Sequence, residues 1–334
     1  MHIAAKLRVH VRLGGGLMHT LAVLFAVVRV GVIGLDTSHS VAFTKHLNVT
    51  REKTEYQDFR VVAAVVHGSR DIASSTNRYP SYTAQMREMG VQIVPDIATL
   101  LGKVDAVLLE TNDGREHYAQ AAEVFRAGKP CFIDKPLAHN LVDSVRIVDL
   151  AASTGAKFFT SSALRYVKAI RRVKAEKREI RGMDCWTCFN CEPTHERWYW
   201  YGIHCVDPLY AVMGMGCETV TSFSGADGEI AVGRWRDGRF GVARGLSTAK
   251  KGAPYGGMIF TTAGQVDMGT YEGYGEELAE ILKFFKTGLA PVAPEESLEA
   301  LAFMTAAAES SAAGGMPVKI ADVLSRAREA RGSL

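Results

Sequence analysis

The sequence predicts an α/β protein: an N-terminal doubly wound parallel sheet, followed by a C-terminal α+β domain with a large, mostly antiparallel open sheet. Three observations carry this expectation. From Arg29 to about residue 160, short β-rich runs alternate with helical patterns, as parallel strands joined by crossover helices require. Beyond that point strand-like runs follow one another directly, some across turn pairs such as Asp237-Gly238, which favours antiparallel neighbours. The chain has 334 residues, 47% hydrophobic and 22% charged, the balance of a soluble protein long enough for two domains.

The first-half strands are expected at Val30–Gly34, Arg60–His67, Gln92–Val94, Ala106–Glu110, Pro130–Asp134 and Lys157–Thr160. Helices are expected near His39–Val49, Ile97–Leu101, Arg115–Ala127 and Leu141–Ser153, with Gly128 stopping the third. In the second half a helix over Ala163–Lys174 precedes strands at Gly182–Cys191, Thr219–Ser224, Glu229–Trp235, Phe240–Leu246, Gly257–Thr262 and Gln265–Gly269. Helices Glu276–Thr287 and Glu296–Ala313 close the chain. The expected division is an N-terminal extension (1–28), a parallel-sheet Rossmann-type domain (29–160) and an α+β domain (161–334). An open sheet leaves one face uncovered, so a homo-oligomer through it is expected.

The net charge of +3 argues against a nucleic-acid partner, and the basic stretch Lys168–Arg181 reads as a solvated helix face. Six cysteines in a chain this long do not form a disulfide scaffold. Cys185, Cys188 and Cys191, with His195 nearby, invite a metal reading. On a strand, however, Cys188 faces away from the other two, so no metal site is expected. Lys6, Arg8 and Arg12 before Leu21–Val28 resemble a signal peptide, but the apolar run passes straight into the first strand. A cytoplasmic location without membrane attachment is the expectation.

Val30-Gly31-Val32-Ile33-Gly34 is a strand ending in glycine, as in a Rossmann nucleotide turn. The pattern G-x-G-x-x-G here reads Gly34, Asp36 and His39, so only the first glycine is kept. Asp36 puts a carboxylate where phosphates would lie, or caps the following helix, while Thr37 and Ser38 offer hydroxyl donors. The second strand ends in His67-Gly68-Ser69-Arg70, without the acid that binds the ribose diol of NAD. Ser69 and Arg70 suit a 2′-phosphate. The cofactor is therefore NAD or NADP, with NADP favoured.

Asp134-Lys135-Pro136 ends the fifth strand, where ligands of open α/β sheets bind. A lysine there can hold a substrate hydroxyl and stabilise an alkoxide. Later, Trp200-Tyr201-Gly202-Ile203-His204-Cys205-Val206-Asp207 opens a helical pattern with a histidine near its start. Together these segments resemble the glucose–fructose oxidoreductase / inositol dehydrogenase (Gfo/Idh/MocA) family over roughly residues 29–320. Asp134-Lys135-Pro136 is similar to its E-K-P motif, with Asp for Glu. Gly202, His204 and Asp207 match its D-x-G-x-H-x-x-D motif, while Trp200 stands where the family has an acid.

The resemblance implies hydride transfer between NAD(P) and a secondary alcohol of a sugar, cyclitol or polyol. It gives His204 the acid–base role and Lys135 the orientation of the hydroxyl. It sets Asn112 and His117 beside the nicotinamide, and Arg165, Tyr166, Tyr201 and Asp207 along the substrate. Trp200 would stack on a sugar face. His195 or Glu192 could replace the absent acid. Loss of redox turnover in favour of sugar binding or regulation, and a lyase or hydrolase with transient redox at a tightly held NAD, stand as alternatives. A metal-dependent isomerase or lyase using His195, His204 and Asp207 is a further one.

Overall fold

A computed structural model describes residues 27–189, 192–247 and 255–333. The expected extension falls almost entirely outside the described residues, as does Cys191.

The first sheet contains β1 (Val28–Ile33), β2 (Phe59–Val65), β3 (Gln92–Val94), β4 (Ala106–Leu109), β5 (Cys131–Asp134) and β6 (Phe158–Ser161). They are parallel, in the order β3-β2-β1-β4-β5-β6. The order reverses between β1 and β4, which opens a crevice at their carboxyl ends. Around the sheet lie α1 (Ser38–Lys45), α2 (Ala73–Thr76), α3 (Tyr79–Glu88), α4 (Ile97–Leu101), α5 (His117–Arg126) and α6 (Leu141–Thr154). Helices α2 and α3 were not expected from the sequence. Tyr79–Glu88 buries only Thr83 and Met86, so it carries little apolar periodicity, although Pro80 in its first turn is a start signal. The helix expected over His39–Val49 is regular only to Lys45 and widens over His46–Thr50 before Arg51 turns at φ 46°.

The second half contributes α7 (Lys168–Ala175), β7 (Ile180–Cys188), α8 (Ile203–Met213), β8 (Cys217–Gly225), β9 (Gly228–Trp235), β10 (Phe240–Leu246), β11 (Gly256–Thr261) and β12 (Gly264–Asp267). It ends with α9 (Gly275–Thr287), α10 (Pro294–Ala312), β13 (Val318–Lys319) and α11 (Ile320–Ala330). The sheet order is β12-β11-β7-β10-β9-β8-β13. β7 and β10 pair in parallel and every other pair is antiparallel. The helix expected over Ala163–Lys174 is broken at Val167, which is extended. A short turn over Ala163–Tyr166, capped by Ser162, precedes α7.

One face of this sheet packs on α8 and α10, and alternate side chains point the other way. Phe223 and Phe240 are each 55% exposed there, beside half-buried Ile230, Val232 and Val242. An apolar core runs from Leu109 and Ile133 through Leu141 and Val145 of α6 to Leu209, Phe303 and Met304. A second core lies under the other face of the parallel sheet. There Val30, Phe132 and Phe159 meet Phe43 of α1 and Leu278, Ile281 and Phe284 of α9. Helix α9 follows β12 in sequence yet covers the first domain. Among the described residues no helix is long and apolar enough to cross a membrane.

Candidate active site

Gly34 closes β1 at φ +91°, and a Cβ there would stand 2.4 Å from the Thr111 amide. Glycine is required at this position because the turn after β1 touches the end of β4. Beyond it lies a cavity of about 510 Å³. Thr37, Ser38, His39, Asn112, Asp134 and Lys135 line it from the first domain, facing Trp200, Tyr201 and His204 from the second.

On the nucleotide side, Thr37 precedes α1 without capping it, and its buried Oγ1 has no hydrogen-bond partner among the described residues. That hydroxyl and the free amides of the helix start suit a phosphate. Asp36 neither caps α1 nor lines the cavity. Its Oδ1 accepts the Asn112 amide at 3.0 Å and its Oδ2 accepts the Ser75 hydroxyl at 2.7 Å. Burial pushes this carboxyl up to about 6. Asp36 therefore ties the turn to α2 and to the end of β4.

Ser69 and Arg70 do not line the cavity either. The Ser69 hydroxyl donates to Asp113, and Arg70 is exposed. Arg78, from the turn between α2 and α3, lines the cavity with Ser74 and holds the Asp36 carbonyl at 3.4 Å. The Arg115 guanidinium bridges Asp71 at 2.8 Å and Asp113 at 2.6 Å, joining the loops after β2 and β4. His195 approaches Asp113 from the second domain at 3.3 Å and stacks near Trp200, with ring centroids 4.8 Å apart. Burial works against the Asp113 charge, but His195, Arg115 and Ser69 together hold the carboxyl well below its ordinary range.

On the catalytic side, Lys135 Nζ lies 6.0 Å from the Tyr201 ring centroid. His204 Nδ1 meets Ser162 Oγ at 2.9 Å, which leaves Nε2 as the ring atom for a substrate. Burial, then the Lys135 ammonium, holds this imidazole well below the usual histidine range and hence neutral. Asp207 lies behind Ser162, accepting its amide at 2.8 Å and pairing with Arg165 at 2.8 Å. Arg165 also binds Glu296. Arg165 and Asp207 thus fix Ser162 instead of lining the cavity, and Tyr166 is likewise buried away from it.

His117 is similarly displaced. Its Nε2 faces the Thr111 carbonyl at 2.7 Å and its Nδ1 the Pro136 carbonyl at 3.1 Å, stapling the loops after β4 and β5. Glu192 does line the cavity.

Sequence reasoning missed Ser162, Tyr255, Tyr271 and Tyr274, which complete the wall around His204 and His39. They come from an element boundary and irregular segments, where no periodicity marks a role. It also missed Glu110, a fully buried acid at the end of β4. An ionisable residue ending an all-apolar strand was the available signal.

A family model for the Gfo/Idh/MocA oxidoreductases, described as an NAD-binding Rossmann fold, matches residues 28–162. The oxidoreductase YceM of Salmonella typhimurium is 33% identical over 84 residues, which is 25% of this chain and 27% of that protein's length. Scyllo-inositol dehydrogenase from Lactobacillus casei, solved with NAD(H) and scyllo-inositol, superposes with a TM-score of 0.68 at 14% identity, covering 88% of this chain and 99% of its own. The WlbA dehydrogenase from Bordetella pertussis, solved with NADH and UDP-GlcNAcA, gives 0.67 at 18% identity over 88% of this chain and 98% of its own. At these identities the structures show a shared two-domain fold.

Proposed function

Because residues 28–162 match the Gfo/Idh/MocA oxidoreductase family model, we propose that the chain is an NAD(P)-dependent dehydrogenase acting on a secondary alcohol or ketone of a cyclitol, sugar or related polyol. The observation that carries this reading is that Lys135 and His204, from different domains, face one cavity with the Thr37 hydroxyl, which has no hydrogen-bond partner among the described residues. Thr37, Ser38 and the start of α1 would hold the pyrophosphate, with Asn112 and Asp134 nearer the nicotinamide. When bound, the nicotinamide supplies the hydride acceptor or donor.

The chain's own residues do the rest. His204 is neutral and takes the hydroxyl proton, while Ser162 fixes its ring. Lys135 donates to the same oxygen and stabilises it as negative charge develops. Trp200, Tyr201 and Tyr255 present flat faces suited to the C–H surface of a ring polyol. The solved relatives bind an inositol and a nucleotide sugar, which supports this substrate class. An assembly through the open sheet face and the preference for NADP belong to the same proposal.

One observation favours a second reading, a sugar-binding protein without turnover. Asp36 occupies the second-glycine position and is already bonded to Asn112 and Ser75. Titration with NAD(H) and NADP(H), followed by fluorescence, separates the two. Saturable binding and turnover of a cyclitol or sugar are expected, and binding of neither cofactor would sink the dehydrogenase reading.

A further inference from the structure

The metal readings that the sequence offers use other residues, yet three different side chains converge beside the cavity. His39 is the second residue of α1 and takes the third-glycine position of the nucleotide turn. Glu110 follows β4 and Asp134 ends β5. Because β1, β4 and β5 are neighbours in the sheet, their carboxyl ends bring the three together. His39 Nδ1 lies 3.0 Å from Asp134 Oδ1 and 3.7 Å from Glu110 Oε2. One ligand atom from each residue lies within 4.8 Å of the other two, and all three residues are buried. Metal bonds of about 2.0–2.2 Å to nitrogen and oxygen set neighbouring ligand atoms about 3–3.6 Å apart, so an ion between them needs little adjustment.

Glu110 supplies an independent observation. The residue is 0% exposed, and neither of its oxygens has a hydrogen-bond partner among the described residues. Buried carboxyl groups are normally bonded. The nearby Glu277 receives the Ser161 hydroxyl at 3.2 Å, whereas Glu110 receives no hydrogen bond from the described residues and has Oε2 3.7 Å from His39 Nδ1. Asp134 is already oriented, since its Oδ1 accepts the Lys135 amide at 2.7 Å.

We propose that His39, Glu110 and Asp134 form a binding site for a divalent transition-metal ion of the zinc, manganese or iron(II) class. An imidazole among the ligands disfavours magnesium and calcium. Two carboxylates and a neutral imidazole balance the charge of the ion, so the occupied site is neutral in its buried setting. His39 and Asp134 also line the cavity, so the remaining coordination positions open toward it. There they would take oxygens of a substrate beside Lys135 and His204. This site stands on its own residues and does not depend on nicotinamide binding.

Chelator-treated protein is titrated with Zn²⁺, Mn²⁺ or Co²⁺ alone, without nicotinamide or substrate. The expected result is one equivalent bound, a visible Co²⁺ absorption band and a higher Tm. Glu110→Gln keeps the shape and should weaken binding roughly 100-fold or more, as should His39→Ala. His46→Ala, a control beside Glu52, should leave the affinity unchanged. Absence of stoichiometric binding to the wild-type chain overturns the site and leaves His39 and Asp134 as a side-chain pair only. Binding that survives both variants also overturns it. If a variant fails to fold, the wild-type titration still decides, and it does so whether or not the dehydrogenase reading holds.

Discussion

His204 is poised by what it is denied. Half-buried beside Lys135 and bonded to Ser162, it refuses a proton that a free histidine would accept near 6.5. Below that pH the unfolded chain takes up the proton while the folded chain does not. His204 therefore costs stability as pH falls, and as the proposed base it stays unprotonated. The expected kcat/KM profile for alcohol oxidation shows no loss with a midpoint near 6.5, and a clear midpoint there would remove His204 as the base. His204→Ala and Lys135→Ala should each lower kcat by about 10²–10⁴-fold with little change in Tm.

Asp36 runs the opposite way. Its folded value of about 6 lies above the ordinary 3.8, so between those values the folded state holds the extra proton. Stability falls as pH rises through this window, by up to about 3 kcal/mol. An asparagine can accept the Asn112 amide and donate to the Ser75 oxygen. Asp36→Asn should therefore abolish that slope in urea melts at pH 4 and 8 and leave the variant at least as stable at pH 8. An unchanged slope would show that Asp36 ionises freely in the fold.

Asp36 also marks the limit of what the sequence could show. Its place in the turn was legible, but its partners were not, because Ser75 lies on α2, a helix with no apolar periodicity.

Among the elements, α2 and the following turn decide which arginine lines the cavity proposed for the nucleotide. Arg70 follows β2 directly and looked suitable by position, but α2 carries Arg78 into the cavity and leaves Arg70 outside. Arg78→Ala should weaken NADP more than NAD, and Arg70→Ala should change neither; the reverse pattern in a binding titration would restore Arg70.

Apart from the two-residue β13, the strands of both sheets were readable to within a few residues because apolar runs and turn glycines punctuate them. The destination of α9 was not, since periodicity gives a helix its buried face but not the sheet it meets. Phe284, fully buried against Phe159 with ring centroids 5.1 Å apart, anchors that contact. Phe284→Ala should cost about 3–5 kcal/mol in chemical denaturation. A cost below about 1 kcal/mol would mean that α9 contributes little to this core.

For the whole molecule, the open face of the second sheet carries an apolar surface without a described partner. Phe223 pairs in register with Ile230 and Val232 with Val242, all on that face. A homo-oligomer joined there should dissociate in Phe240→Glu, read as a fall in mass by light scattering. An unchanged mass would place the interface elsewhere. That such a sheet is open was legible from its run of neighbouring strands, whereas what covers it lies in no local pattern.

The return of α9 to the first domain also bears on how the chain is born. As it leaves the ribosome, the segment up to residue 162 can pair its six strands, but on one side Phe132 has only Phe43 of α1 over it and Phe159 lacks its contact with α9. Their cover, Leu278 to Phe284, is synthesised only after the whole second sheet except β13. The nucleotide-binding half therefore stays incomplete until most of the second half has been made, although it is made first. During synthesis it presents an apolar surface that a chaperone could shield and that a truncated transcript would leave permanently bare.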